Sequence, residues 1–503
     1  MNTDYTKSKF SLSWKDKRLK RIREWQKKHK HENFIDHADI IKTLKENSSP
    51  SKERLREIIQ KARNNAITGA MLSSADTAAL AFAEEAELWE EIFETANWIK
   101  KTVYGNRIVL FAPLYVSSPC VNNCLYCGFR ASNEAVLKRS LSIPELKEEL
   151  RALINAGHKR LIMVYGESAE NDYKYICETV SAAYAVKHGP GEIRRANVNA
   201  APLFDDEYKA VHSVGIGTYQ IFQETYHHPT YNKIHPAGTL KREYDWRLFS
   251  LHRAQEAGID DVGMGVLFGL YDWHYEIQGL LRHAMALEKE FGVGPHTISY
   301  PRIEPAMKTP FTANSPWLVS DYDFRKIVAV IRLMCPYTGS ILTAREKPEL
   351  RDELIGKCGV SQMDAGSRIA VGGYSQMKLE HIPEKQQFIL SDTRSLDEFI
   401  LALCRKGFLP SFCTAGYREG RTGAEFMPLA KHATVKNFCI ANGLLTFQEY
   451  LSDYASEEVR KLGRETIIPN YLKWVDENVP HLSEKLRTNI KLIEVYAKRD
   501  LRF

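Results

Sequence analysis

Cysteine is scarce, with nine residues in a chain of 503. Nine are too few to staple a chain of this size, which excludes a disulfide-built scaffold. Long apolar runs are missing too. No stretch approaches the roughly 20 consecutive apolar residues that a membrane span needs, so no membrane association is expected. Met1–Lys30 is charged rather than apolar, unlike a secretory signal. Internal repeats and low-complexity segments are absent, which excludes solenoids and linker-like chains. What remains is 44% hydrophobic, ample for one large core with appendages. The expected location is the reducing cytoplasm.

The net charge is +6, and much of it lies at the start of the chain. Between Trp14 and His31 stand Lys15, Lys17, Arg18, Lys20, Arg21, Arg23, Lys27, Lys28 and Lys30. Such a run suits an arm for nucleic acid or an acidic partner. It equally suits a solvated amphipathic helix with Leu19, Ile22 and Trp25 packed on the body. No nucleic-acid-binding module accompanies it, so the second reading is taken and no nucleic-acid partner is expected.

Helical spacing of apolar residues predicts helices over Ser51–Asn65, with Ser51 as cap, and Ala75–Lys101. Short apolar strands follow at Arg107–Val116, Lys159–Tyr165, Ala196–Ala200, Thr218–Phe222, Val262–Phe268, Thr297–Tyr300, Ser340–Thr343 and Val360–Met363. Helical patterns separate most of them. This alternation implies a parallel sheet with right-handed crossovers. Eight strands fit an α/β fold of the (β/α)8 TIM-barrel type, whose chemistry gathers at the C-terminal strand ends. The expected domains are an N-terminal helical extension (1–102), the barrel (103–372) and a mainly helical C-terminal domain (373–503).

Right after the first strand stand Cys120, Cys124 and Cys127, a C-x3-C-x2-C triad. Three thiolates so close can hold one corner of a cubane 4Fe-4S cluster. Such a cluster normally takes four, so one iron stays open. Catalytic zinc would also use three ligands, although this is not a usual zinc spacing. Further candidates stand at predicted strand ends. Gly166 and Glu167 close the second strand, where a glycine admits close backbone approach and a carboxylate can accept from an ammonium. Arg195, Asn197 and Asn199 alternate along the third strand and share a face. Gln223 and Glu224 close the fourth, as groups for substrate or a nucleotide ribose. Gly263 and Gly265 clear space on the fifth for a flat ring, or mark a bulged core strand. Ser299, Arg302 and Glu304 close the sixth, and Arg302 could fork onto a carboxylate. The remaining Cys177, Cys335, Cys358 and Cys404 read as buried thiols.

Together these segments resemble the tyrosine lyases of the radical S-adenosylmethionine (SAM) superfamily, and most closely the iron-only hydrogenase maturase branch. The likeness runs over Cys120–Phe129, Arg195–Pro202, Gly215–Tyr226, His235–Pro236, Tyr244–Arg247, Ala257–Asp272, Gly292–Ala306 and Ser411–Met427. A related branch is 2-iminoacetate synthase of thiazole synthesis. The resemblance implies a 4Fe-4S cluster on Cys120, Cys124 and Cys127 whose open iron binds SAM. It implies SAM contacts from Gly166, Glu167, Arg195, Asn197, Asn199, Glu224, Gly263 and Gly265, and substrate contacts from Gln223, Ser299 and Arg302. The implied reaction cuts the Cα–Cβ bond of L-tyrosine to p-cresol and dehydroglycine (2-iminoacetate). A flavodoxin- or ferredoxin-type electron donor and hydrogenase maturation partners are implied with it. Tryptophan as substrate, a role in thiazole synthesis and a non-catalytic maturation scaffold are the other readings.

In the maturase branch a second cluster sits on C-x2-C-x22-C. Here Cys413 and Cys439 occupy the outer positions and Gly416 the middle one. Glycine cannot ligate iron, and Cys404 and His432 are not at the expected spacing. Two thiolates are a poor anchor for four irons. The expectation is a folded C-terminal domain, a doubtful second Fe-S cluster, and tyrosine cleavage that needs the first cluster only.

Overall fold

The computed structural model describes residues 9–29, 32–376 and 382–503. Lys30, the last residue of the basic run, lies outside the described residues.

Eight parallel strands close into a barrel: β1 (Arg107–Tyr115), β2 (Arg160–Val164), β3 (Arg195–Asn199), β4 (Tyr219–Gln220), β5 (Val262–Gly265), β6 (Thr297–Ser299), β7 (Gly339–Leu342) and β8 (Gln362–Asp364). Each pairs with its successor, and β8 returns to β1 through Val109 and Gln362. Every residue of β1 is buried, as a strand covered on both faces must be. Each strand read from the sequence is present. Three strands were not foreseen: the short antiparallel pair Lys187–His188 and Gly191–Glu192, and β9 (Leu409–Ser411), which pairs in parallel with the start of β1 through Arg107 and Leu409. Strand β9 adds an outer strand beside the closed barrel.

At the N-terminus, α1 (Lys9–Lys28) lies on the barrel wall with Ile22 and Trp25 buried. Its arginines meet acids of the barrel: Arg18 with Glu207 at 2.8 Å, Arg21 with Asp206 at 2.6 Å and Arg23 with Glu243 at 3.1 Å. The segment expected as one helix over Ala75–Lys101 is two, Ser74–Ala81 and Ala86–Tyr104.

The C-terminal domain caps the N-terminal end of the barrel. Its long helix Val435–Asp453 packs on β9. From that helix, buried Glu449 reaches Lys159 at 3.3 Å and Arg194 at 2.8 Å, just ahead of β2 and β3. Burial alone would raise the Glu449 pKa, but the two cations outweigh it and hold the carboxyl low. Around Gly416 the chain forms the short helix Ala415–Arg418, followed by the helix Gly423–Lys431.

Candidate active site

The C-terminal strand ends surround a cavity of about 240 Å³. The loop leaving β1 carries all three cysteines of the triad to its wall. Four backbone bonds hold that loop: Ser118 N–H to Arg139 O (3.0 Å), Val121 N–H to Glu167 O (2.8 Å), Leu125 N–H to Ile234 O (3.1 Å) and Gly128 N–H to Gln387 O (3.1 Å). A Cβ on Gly166 would fall far inside contact with the Pro119 carbonyl. The close approach that this glycine permits is therefore by the cysteine loop itself.

Cys120, Cys124 and Cys127 line one side of the cavity. Asn122 Nδ2 donates to Cys120 Sγ at 3.6 Å, and Gln387 Nε2 to Cys127 Sγ at 3.4 Å. Burial pushes the Cys120 thiol up, and the Cys124 thiol up to about 12. Thiols in such a place become thiolates when a cationic centre binds them. Among the described residues no three His, Cys, Asp or Glu side chains gather tightly enough to hold a single metal ion. The donor set of three soft thiols, with N–H donors behind two of them, fits a 4Fe-4S group.

Glu167 faces the triad from the end of β2 and accepts from Asn122 Nδ2 at 2.6 Å. Glu224, in the left-handed region at φ 72°, accepts from Lys241 Nζ at 2.7 Å and Arg247 NH2 at 3.3 Å. Burial raises its pKa, but Lys241 and then Arg247 outweigh that and hold the carboxyl below its ordinary range. Tyr126 donates to His235 Nε2 at 3.0 Å, because His235 Nδ1 is engaged with Tyr231 O at 2.9 Å. Burial keeps this imidazole neutral. Ser299 Oγ accepts from Gln220 Nε2 at 2.8 Å. Arg345, Glu304, Thr343 and Asp364 also line the cavity.

Of the residues singled out from the sequence, the three cysteines, Gly166, Glu167, Asn199, Glu224, Ser299 and Glu304 line this cavity. Others stand elsewhere. Arg302 ties Glu346 and Asp321 together, the latter at 2.8 Å, and donates to Val319 O at 2.9 Å. Gln223 is buried off the cavity with neither amide atom hydrogen-bonded. The glycines of β5 serve packing: a Cβ on Gly263 would meet Thr297 Oγ1 at 2.7 Å, and one on Gly265 the Phe222 ring at 2.8 Å. Asn197 accepts from Arg195 Nε and Thr218 N–H, both at 3.0 Å. Lys241, Gln387 and Arg345 were not picked out from the sequence, whereas Asn122 and Arg247 fall within segments of resemblance without having been singled out.

Arg195 opens into a second, smaller chamber at the opposite end of the barrel, with Arg107, His296, Cys413, Gly416, Tyr417 and Cys439. Its guanidinium stacks on Tyr417 at 3.3 Å from the ring centroid and sits 3.7 Å from Asp261. Cys413 and Cys439 are hydrogen-bonded to each other. The bond from Cys439 lowers the Cys413 thiol, and Arg107, Arg160 and Arg195 add to the effect.

Residues 114–283 match the radical SAM superfamily, and residues 299–409 match the biotin and thiamin synthesis associated domain. The chain therefore belongs to the radical SAM enzymes. It superimposes on the crystal structure of HydG, a maturase of the FeFe-hydrogenase, with TM-score 0.88 and 45% identity over 94% of this chain and 100% of that one. Against the FeFe-hydrogenase maturase HydG of Carboxydothermus hydrogenoformans the TM-score is 0.73 and the identity 37%, over 95% and 99%. The 2-iminoacetate synthase of Salmonella typhimurium is 29% identical over 350 residues, 69% of this chain and 88% of that protein. Within the superfamily, the chain is a member of the HydG family.

Proposed function

We propose that the protein is a radical SAM lyase that cuts the Cα–Cβ bond of L-tyrosine, releasing p-cresol and dehydroglycine as a HydG-type maturase would. Cys120, Cys124 and Cys127 would hold the 4Fe-4S cluster, which with SAM supplies a hydrogen-abstracting radical when bound. The observation that carries the reading is one cavity lined both by the three thiols and by Arg345 and Glu304. An α-amino acid is a zwitterion, so its site needs a cation and an anion side by side. Arg345 offers a guanidinium to the carboxylate and Glu304 a carboxylate to the ammonium. Held at both charged ends, the substrate's Cα–Cβ bond stays in one position, which is the protein's share of the catalysis. Glu167, which lines the same cavity, would accept from the amino group of SAM. A flavodoxin- or ferredoxin-type protein would deliver the electron, in the cytoplasm.

The smaller chamber does not fit a second four-iron cluster, since two thiols line it and Gly416 replaces the third. We therefore assign one cluster per chain and impaired conversion of dehydroglycine to carbon monoxide and cyanide. Anaerobic reconstitution should give about four irons per chain; about eight would overturn the single-cluster assignment. Incubation with SAM, dithionite and L-tyrosine should yield p-cresol by chromatography. If tryptophan is cleaved and tyrosine is not, the substrate assignment fails.

A further inference from the structure

The loop that carries the triad holds a buried side chain, Asn122, whose amide makes three hydrogen bonds beside the cavity. Asn122 is 2% exposed. Its Nδ2 donates to Glu167 Oε2 at 2.6 Å and to Cys120 Sγ at 3.6 Å. Its Oδ1 accepts from the Lys241 backbone N–H at 2.9 Å. The amide orientation is dictated by its partners. Turned over, it would set oxygen against a carboxylate and NH2 against an N–H.

We propose that Asn122 is a positioning residue, an amide splint that fixes the first cluster cysteine, the Glu167 carboxylate and the 240 loop relative to one another. The proposal rests on the radical SAM reading of the cavity and adds to it. Three separate pieces of chain meet at this amide. Cys120 comes from the loop after β1, Glu167 from the end of β2, and Lys241 from the segment beyond β4. Lys241 carries the coupling further, because its Nζ grips Glu224 at 2.7 Å. One neutral side chain thus bears on both carboxylates beside the triad. Its neutrality matters. An N–H aimed at a cluster thiolate stabilises the reduced, more negative form and raises the reduction potential. An N–H aimed at Glu167 keeps that carboxylate pointed at the cavity.

Asn122→Asp tests this at constant size. The variant keeps the acceptor toward Lys241 but places a second carboxyl against Glu167 and removes the donor to Cys120. A carboxylate there cannot donate to Glu167 as the amide does, so that hydrogen bond is lost. The expected result for the reconstituted full chain is an iron content equal to wild type and a more negative cluster potential in an EPR-monitored titration. SAM binding, read from the perturbation of the EPR signal, should weaken about tenfold, the scale of losses when such supporting groups are removed. Asn123→Asp is the control. Asn123 accepts from the exposed Ser132 N–H at 2.8 Å, and Asp preserves that bond, so potential and SAM affinity should not move. If Asn122→Asp fails to fold by circular dichroism, Asn122→Ser reads the same two quantities. An unchanged potential with SAM affinity within twofold of wild type would overturn the proposal, as would equal effects from the two Asp variants. Failure of the underlying reading looks different: the wild-type protein itself would show no EPR signal that SAM perturbs.

Discussion

Glu304 is the cavity residue whose charge changes nearest neutrality. Burial raises its pKa most, Glu346 adds to this, and Arg345 and Arg302 only partly oppose them, leaving the group at about 7. A carboxylate that accepts from an ammonium must be ionised. Its share of binding is therefore present above pH 7 and fades as pH falls through 7. The KM for tyrosine should rise about tenfold from pH 8 to pH 6, following one proton. Glu304→Gln should give a high KM with no such slope; a variant that kept the wild-type profile would remove Glu304 from the substrate site. Residues of this kind are half legible in sequence. The cysteine triad is local, so its spacing reveals it. Lys241 and Arg345 matter because distant segments meet, and nothing in their own neighbourhood says so; Asn122 stands inside the triad, but its partners Glu167 and Lys241 are distant in sequence. Arg195 illustrates a further limit. Alternation assigns Arg195, Asn197 and Asn199 to one face, but a strand climbs about 3.3 Å per residue. That climb puts Asn199 at the upper cavity and Arg195 at the lower chamber.

Elements set the site through their contacts, and two substitutions weigh those contacts. Gly166 lies where β2 gives way to the loop packed under the cysteines. Gly166→Ala drives a methyl into the Pro119 carbonyl, which is backbone and cannot swing aside. Overpacking of this sort costs about 1–3 kcal/mol. Urea unfolding should record that loss, and reconstituted iron should drop below the wild-type content; a neutral Gly166→Ala would mean the loop is not clamped there. Helix α1 separates the basic run's charge from its packing. Trp25 stands edge-on to Trp246 at 5.3 Å, with Arg253 over its ring at 4.4 Å. Trp25→Ala should cost about 3 kcal/mol. Arg21→Ala, which removes a half-exposed pair, should cost under about 1 kcal/mol. The opposite ranking would favour charge over packing as the helix's anchor. Strands and helices of the barrel were legible because each is a compact apolar run at its own period. Strand β9 was not, since Leu409-Pro410-Ser411 is three residues long with a proline in the middle, a residue that sheets accept at edges.

At the scale of the whole molecule, the barrel has a chemical end and a capped end, and Gly416 decides what the capped end can hold. The C-terminal domain is folded against the barrel without help from that position. Glu449 is paired, β9 is hydrogen-bonded to β1, and Tyr417 is stacked on Arg195. A side chain at residue 416 is therefore free of any structural duty. A Cβ built there meets only the Arg421 carbonyl, at 3.3 Å, and its φ is not in the left-handed region. Gly416→Cys should consequently fold with stability within about 1 kcal/mol of wild type, the range for a helix position relieved of glycine. It would set a third thiol beside Cys413 and Cys439, in a chamber where Arg107 and Arg195 favour thiolates. Reconstituted iron should then rise from about four to about eight per chain, with a second paramagnetic centre that SAM leaves unperturbed. Tyrosine cleavage should be unchanged, because its residues stand at the other end of the barrel. An iron content that stays at about four in a folded Gly416→Cys variant would mean that more than one missing thiol separates this chamber from a cluster site.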